Sequence, residues 1–307
     1  MENYVANLPG RKRGRFLTRL AVAATAAALV GTTAGSAVAD TPVPAPLKSM
    51  DMDAATEAAS QSADAPVNAL HAIDRAGDLY GYPPNGTGGL AGRVNIGFGW
   101  DVIKHATQVD HDADGSSDGI WEINNGGYLF YAPFGEEPIS VGSGWNIYNK
   151  VLSPGNLAGV AADDLLARDT SGVLWIYAGY GNGKLTGRTK VGSGWNTYNQ
   201  IAGQGDLSGD GKADVVARDG SGVLWLYKGT GNRTTPFAAR TKIGSGWNIF
   251  NSLVSVGDID IDGKTDLIAR DGAGALWLYK GTGSAAAPYK ARVKIGAGGW
   301  NTYRLLF

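Results

Sequence analysis

Three stretches of the chain set oxygen-bearing side chains at alternate positions next to a glycine. Asp110, Asp112, Asp114 and Asp118 surround Gly115; Asp206, Ser208, Asp210 and Asp214 surround Gly211; Asp258, Asp260, Asp262 and Asp266 surround Gly263. Calcium needs six to eight hard oxygen ligands, and alternate carboxylates beside a sharply turning glycine can supply them. Asp residues also make plain polar turns, but the same ladder recurring three times argues for a cation. Eleven acidic residues lie in these loops, a concentration of like charge that bound ions would relieve. The expectation is about three calcium ions in a structural role. The loops are not EF-hands, because the twelfth position holds Trp121, Ala217 and Ala269 and no Glu.

Other chemistry is harder to find. The three histidines, at 71, 105 and 111, do not recur in any pattern, and no HExxH is present. Gly115-Ser116-Ser117-Asp118-Gly119 matches G-x-S-x-G only formally, since it lies inside a metal loop and not at a strand-to-helix turn. Glu122 is read as standing where the repeat carries Arg, and Glu136-Glu137 sits in a turn. No catalytic residue is assigned. A hydrolase or lyase site assembled from distant loops is the enzymatic alternative, with the degenerate first two units as its place.

The loops belong to a repeat. Gly-Trp recurs at Trp100, Trp145, Trp195, Trp247 and Trp300, followed by Asn146, Asn196, Asn248 and Asn301 in four copies and Asp101 in the first. Leu174-Trp175-Ile176-Tyr177, Leu224-Trp225-Leu226-Tyr227 and Leu276-Trp277-Leu278-Tyr279 are one element in three copies. Four short strands per unit follow from the turn signals; in the fourth unit they are expected at Thr197–Ala202, Ala213–Arg218, Val223–Lys228 and Ala238–Ile243. Four-stranded units of 40–50 residues are the signature of a β-propeller blade. The first unit lacks its first strand, and residues 301–307 match the missing piece. A C-terminal strand completing the N-terminal blade would close a five-bladed, all-β ring and leave no open edge.

The spacing D-x-[DS]-x-D-G-x-x-D resembles the FG-GAP/VCBS repeat family, whose propeller blades carry such loops. The resemblance covers Asn68–Phe307 and is specific in blades 2, 4 and 5. In blade 3, Asn156, Ala158 and Val160 replace the first three ligands and leave Asp164. The pattern is also similar to tachylectin-type five-bladed propeller lectins, which implies sites between adjacent blades. A sugar stacks on an aromatic ring while fixed polar groups hold its hydroxyls, so Trp145, Asn146, Trp195, Asn196, Trp247 and Asn248 are the candidate ligand-binding residues. Lectin-like binding of extracellular or cell-wall glycans is the leading expectation, and a protein–protein or assembly role is the alternative. The same Trp residues would equally fill space between blades. The pairs Arg168-Asp169, Arg218-Asp219 and Arg270-Asp271 suit either ligand contacts or inter-blade hydrogen bonds.

The first 39 residues read as a signal peptide: basic residues from Arg11 to Arg19, an apolar stretch from Leu20 to Val30, and Ala37-Val38-Ala39 before the cut. The expectation is a secreted protein. Residues 40–66, rich in Ala, Pro, Ser and Asp, read as a disordered linker, and 67–307 as the propeller. Cleavage removes five basic residues and Glu2, leaving 22 basic and 27 acidic residues. That balance carries no basic stripe for nucleic acid, and no second apolar span offers stable membrane insertion. With no Cys, stability in an oxidising compartment must come from the core or from bound metal.

Overall fold

The computed structural model describes residues 45–48 and 65–307. The expected signal peptide, and most of the expected linker, lie outside the described residues. Blade 1 contains β1 (Leu70–Asp74), β2 (Leu79–Tyr82) and β3 (Val94–Gly97). Blade 2 is β4 (Ile103–Val109), β5 (Gly119–Asn124), β6 (Leu129–Pro133) and β7 (Ile139–Gly142). Blade 3 is β8 (Tyr148–Gly155), β9 (Asp164–Asp169), β10 (Leu174–Tyr177) and β11 (Thr189–Gly192). Blade 4 is β12 (Tyr198–Ala202), β13 (Val215–Asp219), β14 (Leu224–Tyr227) and β15 (Thr241–Gly244). Blade 5 is β16 (Phe250–Val254), β17 (Leu267–Asp271), β18 (Leu276–Tyr279) and β19 (Val293–Gly296), and the chain ends in β20 (Tyr303–Leu306).

Every sheet is a four-stranded antiparallel meander, and β20 pairs with β1 to give the order β20-β1-β2-β3. The ring therefore closes through its last strand, as the repeat count demands. The fourth strand of blade 4 starts later than expected, at Thr241, because residues 230–238 fold into their own loop. There Thr230 and Asn232 cap backbone groups, and Gly229 bridges Phe237.

Each blade presents apolar faces to its two neighbours, so the core is a set of inter-blade layers. The blade 3/4 layer contains Leu166, Leu174, Ile176, Trp195, Tyr198, Val215 and Ala217, and the 2/3 and 4/5 layers repeat it. Burying an aliphatic or aromatic side chain of this size contributes about 1.5–3 kcal/mol.

Five polar clasps cross the same junctions on the face opposite the Asp ladders. The amide of each Gly-Trp tryptophan donates to a glycine carbonyl in the hairpin of the preceding blade: Trp100 to Gly77, Trp145 to Gly127, Trp195 to Gly172, Trp247 to Gly222 and Trp300 to Gly274. A Cβ on Gly172 would lie 2.7 Å from the Asn196 side chain, and Gly172 has φ +83°, so the hairpin tolerates only glycine there.

The arginines of the Arg-Asp pairs make inter-blade hydrogen bonds, whereas the Asp residues bond within their own blade. Arg168 donates through Nε to Asn149 Oδ1 (2.8 Å) and through Nη1 to the Trp195 and Tyr198 carbonyls of the next blade. Arg218 and Arg270 repeat the arrangement towards Trp247/Phe250 and Trp300/Tyr303. The strand register places Ile73 and Ile123, not Arg, at this position in blades 1 and 2. Glu122 accordingly aligns with Ala167 and not with Arg, which corrects the sequence reading. The cation has moved to the neighbouring first strand. Arg304 donates to the Trp100 and Ile103 carbonyls, and Lys104 to the Tyr148 carbonyl (3.0 Å). The pair Asn/Arg of blades 3–5 thus becomes Arg/Ile or Lys/Ile, and every junction keeps one cationic clamp.

Two short pieces of the expected linker are packed. Leu47 is buried with Ile73, Ile96 and Trp100, and the backbone of Leu47–Lys48 bonds to Gly135 and Ile96. Residues 65–68 stand in for the loop that blade 1 lacks. Val67 donates to the Gly115 carbonyl of blade 2, and the Pro66 carbonyl accepts from Asp258 of blade 5.

Candidate metal loops and the inter-blade surface

The Asp ladders connect the first and second strands of blades 2, 4 and 5, here loops A (110–118), B (206–214) and C (258–266). In each, the first Asp folds the loop around itself. Asp110 accepts from the amides of Ala113 (2.7 Å) and Gly115 (2.9 Å), Asp206 from Gly209 and Gly211, and Asp258 from Asp262 and Gly263. The fourth residue is left-handed in all of them: Gly209 by choice, Ala113 and Ile261 under strain at φ 61° and 58°.

Carboxylate oxygens of Asp110, Asp112 and Asp118 come within 4.8 Å of one another, as do those of Asp206, Asp210 and Asp214, and of Asp258, Asp260 and Asp262. Asp114 lies outside its cluster and accepts from Ser116 instead. Ser208 donates its hydroxyl to Asp206 at 3.3 Å. Asp266 is buried and also outside its cluster.

The last Asp of loops B and C has a separate duty. Asp214 accepts from Leu207 and Ser208 through Oδ2 and from Gly229 through Oδ1, and Asp266 does the same with Ile259 and Gly281. Asp164 of blade 3 makes the identical set to Leu157, Ala158 and Gly179 in a loop without a ladder. This Asp anchors the loop to the outer strands whether or not a cation is near. It can be a ligand only through lone pairs left over.

Burial pushes Asp110, Asp214 and Asp258 up to about 6 and Asp266 to about 7, with neighbouring loop carboxylates adding to the effect. Crowded, half-desolvated carboxylates are costly to ionise, and a divalent cation removes that cost. The donor set, all hard oxygens, fits such an ion. The loops differ in counter-charge. Lys280 Nζ sits 2.7 Å from Asp260 Oδ2; Lys264 and Lys290 reach Asp262, and Lys228 reaches Asp210. All four ion pairs among the described residues fall on loops B and C, and loop A has none.

The loops also seal the ring. Gly209 of loop B abuts Gly283 of blade 5 so closely that a Cβ would stand 2.2 Å from its carbonyl oxygen. Gly159 meets Gly231 and Gly181 meets the His111 carbonyl in the same manner. Together they surround a 1320 Å³ bowl lined by Asp110, Asp163, Gln204, Asp206, Lys212 and Lys264 among others.

The sugar-stacking sites expected at Trp145, Trp195 and Trp247 are not available. These indoles are 8%, 6% and 8% exposed and lie against Tyr177, Tyr227 and Tyr279 at 4.5–4.7 Å between ring centres. Covered faces cannot stack on a ligand. Asn146, Asn196 and Asn248 are exposed, but they belong to the turn that clasps the preceding hairpin.

A different surface shows what the first one was expected to show. Trp175, Trp225 and Trp277 are half-buried, and each donates its indole N–H to Asp169, Asp219 or Asp271 at 2.8–2.9 Å. An exposed guanidinium lies over each ring: Arg188 over Trp175 at 4.1 Å, Arg240 over Trp225 at 4.0 Å and Arg292 over Trp277 at 4.3 Å. Blade 1 has Arg93 over Tyr80 at 4.3 Å. The sequence signal for these residues was an Arg-x-Lys recurring every 52 residues at 188, 240 and 292.

Glu122 and His71 are both enclosed side chains. Glu122 is fully enclosed, has no hydrogen-bond partner, and is pushed by burial up to about 8. His71 is enclosed beside Phe134 and Phe307, and burial lowers it to about 3.

No curated protein matches the chain. Among solved structures, BP39L lectin from Burkholderia pseudomallei aligns with 14% identity over 78% of this chain and 71% of that one, at a TM-score of 0.44. AofleA from Arthrobotrys oligospora aligns with 10% identity over 76% and 73%, at 0.44. Prp20p from Saccharomyces cerevisiae aligns with 13% identity over 74% and 61%, at 0.37, so the chain spans about three fifths of that protein. In this all-β five-bladed propeller, residues 206–269, which run from the start of loop B through loop C into β17, match the family described as FG-GAP-like repeat.

Proposed function

We propose that this protein is an exported, non-catalytic binding propeller that holds calcium in loops A, B and C and recognises extracellular glycans along its blade junctions. The observation that carries the glycan reading is the repeated, half-open aromatic ring with an arginine over it and an Asp fixing its indole N–H. A sugar ring needs an apolar surface and fixed polar partners side by side, and here the tryptophan and its Asp stand on strands with the Arg immediately before the fourth strand.

Calcium serves this reading as a rivet. Asp110, Asp112 and Asp118 would hold it in loop A, Asp206, Asp210 and Asp214 in loop B, and Asp258, Asp260 and Asp262 in loop C. Because each loop touches the next blade, an ion that rigidifies the loop also stiffens the junction. Nothing in this role requires the ion to activate a water.

Exposed Phe98, Ile147 and Ile249 on the hairpin face favour a second reading, a protein partner docked there. A panel of neutral and charged polysaccharides, probed with the full chain in calcium and then in chelator, separates the two. Binding that is lost with Trp225→Ala in a folded variant supports the glycan reading. A blank panel from folded, calcium-loaded protein removes it.

A further inference from the structure

The aromatic–arginine units are not electrically neutral surface. In blades 3, 4 and 5 the third-strand Trp pairs across the sheet with a lysine of the fourth strand: Trp175 with Lys190, Trp225 with Lys242, Trp277 with Lys294. In blade 5 the ammonium itself lies 5.1 Å from the ring centre. Each tryptophan thus has an exposed guanidinium and an exposed ammonium about it. None of these six cations joins an ion pair among the described residues. The nearest carboxylate, as in Asp169, is already committed to the indole and to the amides of Ser171 and Val173.

The departures follow the same logic. Blade 1 keeps its arginine but pairs Tyr80 with Asn95. Blade 2 has Phe130, buried, opposite Ser140, and Pro138 two residues earlier where the other blades carry Arg. Positive charge and open indole are lost together in blade 2 and retained together in three consecutive blades.

We infer that these three Arg–Trp–Lys units bind a polysaccharide carrying repeated anionic groups, whether carboxylate, phosphate or sulfate, with the anion between Arg and Lys and the sugar against the part of the unit left open beside the tryptophan. This rests on the glycan reading proposed above and names its substrate class. Trp175 packs on the blade 2/3 layer, Trp225 on 3/4 and Trp277 on 4/5, so the units line three successive junctions of one ring. A polymer that meets more than one of them gains avidity of about 10²–10⁴ over a single contact.

The test is a binding titration of the full chain, at constant calcium, on immobilised polymers: a polyuronate, a phosphate-bearing and a sulfated polysaccharide, neutral glucan and mannan, and single-stranded DNA. The expected result is retention on at least one anionic polysaccharide at least 10-fold tighter than on the neutral ones. It should weaken about 10-fold or more between low and high salt as exposed charges are screened. Arg240→Gln should weaken that binding several-fold, and Arg188→Gln/Arg240→Gln/Arg292→Gln by 100-fold or more. Lys184→Gln, an exposed cation outside the three units, should leave it unchanged. Thermal melts that match the parent protein show the variants folded. Equal binding to neutral polymers would overturn the anionic inference and leave the glycan reading standing. Retention on no polysaccharide would overturn both, and DNA binding as strong as the best glycan would replace a sugar polymer with a generic polyanion.

Discussion

Glu122 stands at a position filled by Ala in blades 3, 4 and 5, facing the blade 1/2 junction with both carboxyl oxygens unpartnered. Its pKa rises from 4.5 to about 8 in the fold, through burial alone. A carboxyl raised in this way holds its proton in the folded state and gives it up on unfolding. Below pH 4.5 both states are protonated and no stability is lost. Between 4.5 and 8 the unfolded chain binds fewer protons, so stability falls as pH rises, and above 8 the loss is complete. The shift corresponds to about 4–5 kcal/mol at full extent. Glu122→Gln removes the titrating group at nearly constant shape. Urea unfolding of both proteins at pH 5 and pH 8.5, with calcium fixed, should show the variant gaining about 3–4 kcal/mol more at the higher pH. Equal differences at the two pH values would refute the buried, unpaired assignment of Glu122.

Other consequences follow from the junctions and loops. Gly209→Ala sets a Cβ against the Gly283 carbonyl at a left-handed residue, and should cost about 2 kcal/mol or more in thermal or urea unfolding. Arg218→Ile removes charged hydrogen bonds to Trp247 and Phe250 and should destabilise by about 2–3 kcal/mol. Adding Asn199→Arg, the arrangement that blade 1 uses, should recover most of that loss, and a double-mutant cycle measures it. Lys280→Met takes away the ammonium that a cation must displace from Asp260, so calcium affinity of loop C should rise about threefold by calorimetry while the calcium-free protein loses stability.

Much of this architecture was written in repeats. The recurring Gly-Trp and the orphan strand after Trp300 define five blades and their closure, because a ring leaves an unmatched piece at each end of the chain. The loops were legible for the same reason: alternate Asp around Gly has few other uses. The interior was harder. Trp145, Trp195 and Trp247 look like ligand platforms in sequence, yet the third-strand tyrosine of the same blade covers each ring, and that contact exists only once the first and third strands are paired in register through the second. The Arg-to-Ile exchange, compensated by Arg304 and Lys104 one strand over, is invisible without register. Glu122 was misaligned by one position for that reason, although counting back from Gly127 would have placed it opposite Ala167. Lys280 as a tethered counter-ion had no signal beyond its recurrence at Lys228.

The measurement closest to the centre of this account is calcium titration of the metal-stripped full chain by native mass spectrometry and calorimetry, read beside the melting temperature. About three ions should bind, with one lost in Asp110→Asn, one in Asp206→Asn and one in Asp258→Asn, and the melting temperature should rise with calcium as mass action requires. No bound calcium at millimolar concentration, or a melting temperature indifferent to chelator, would contradict it.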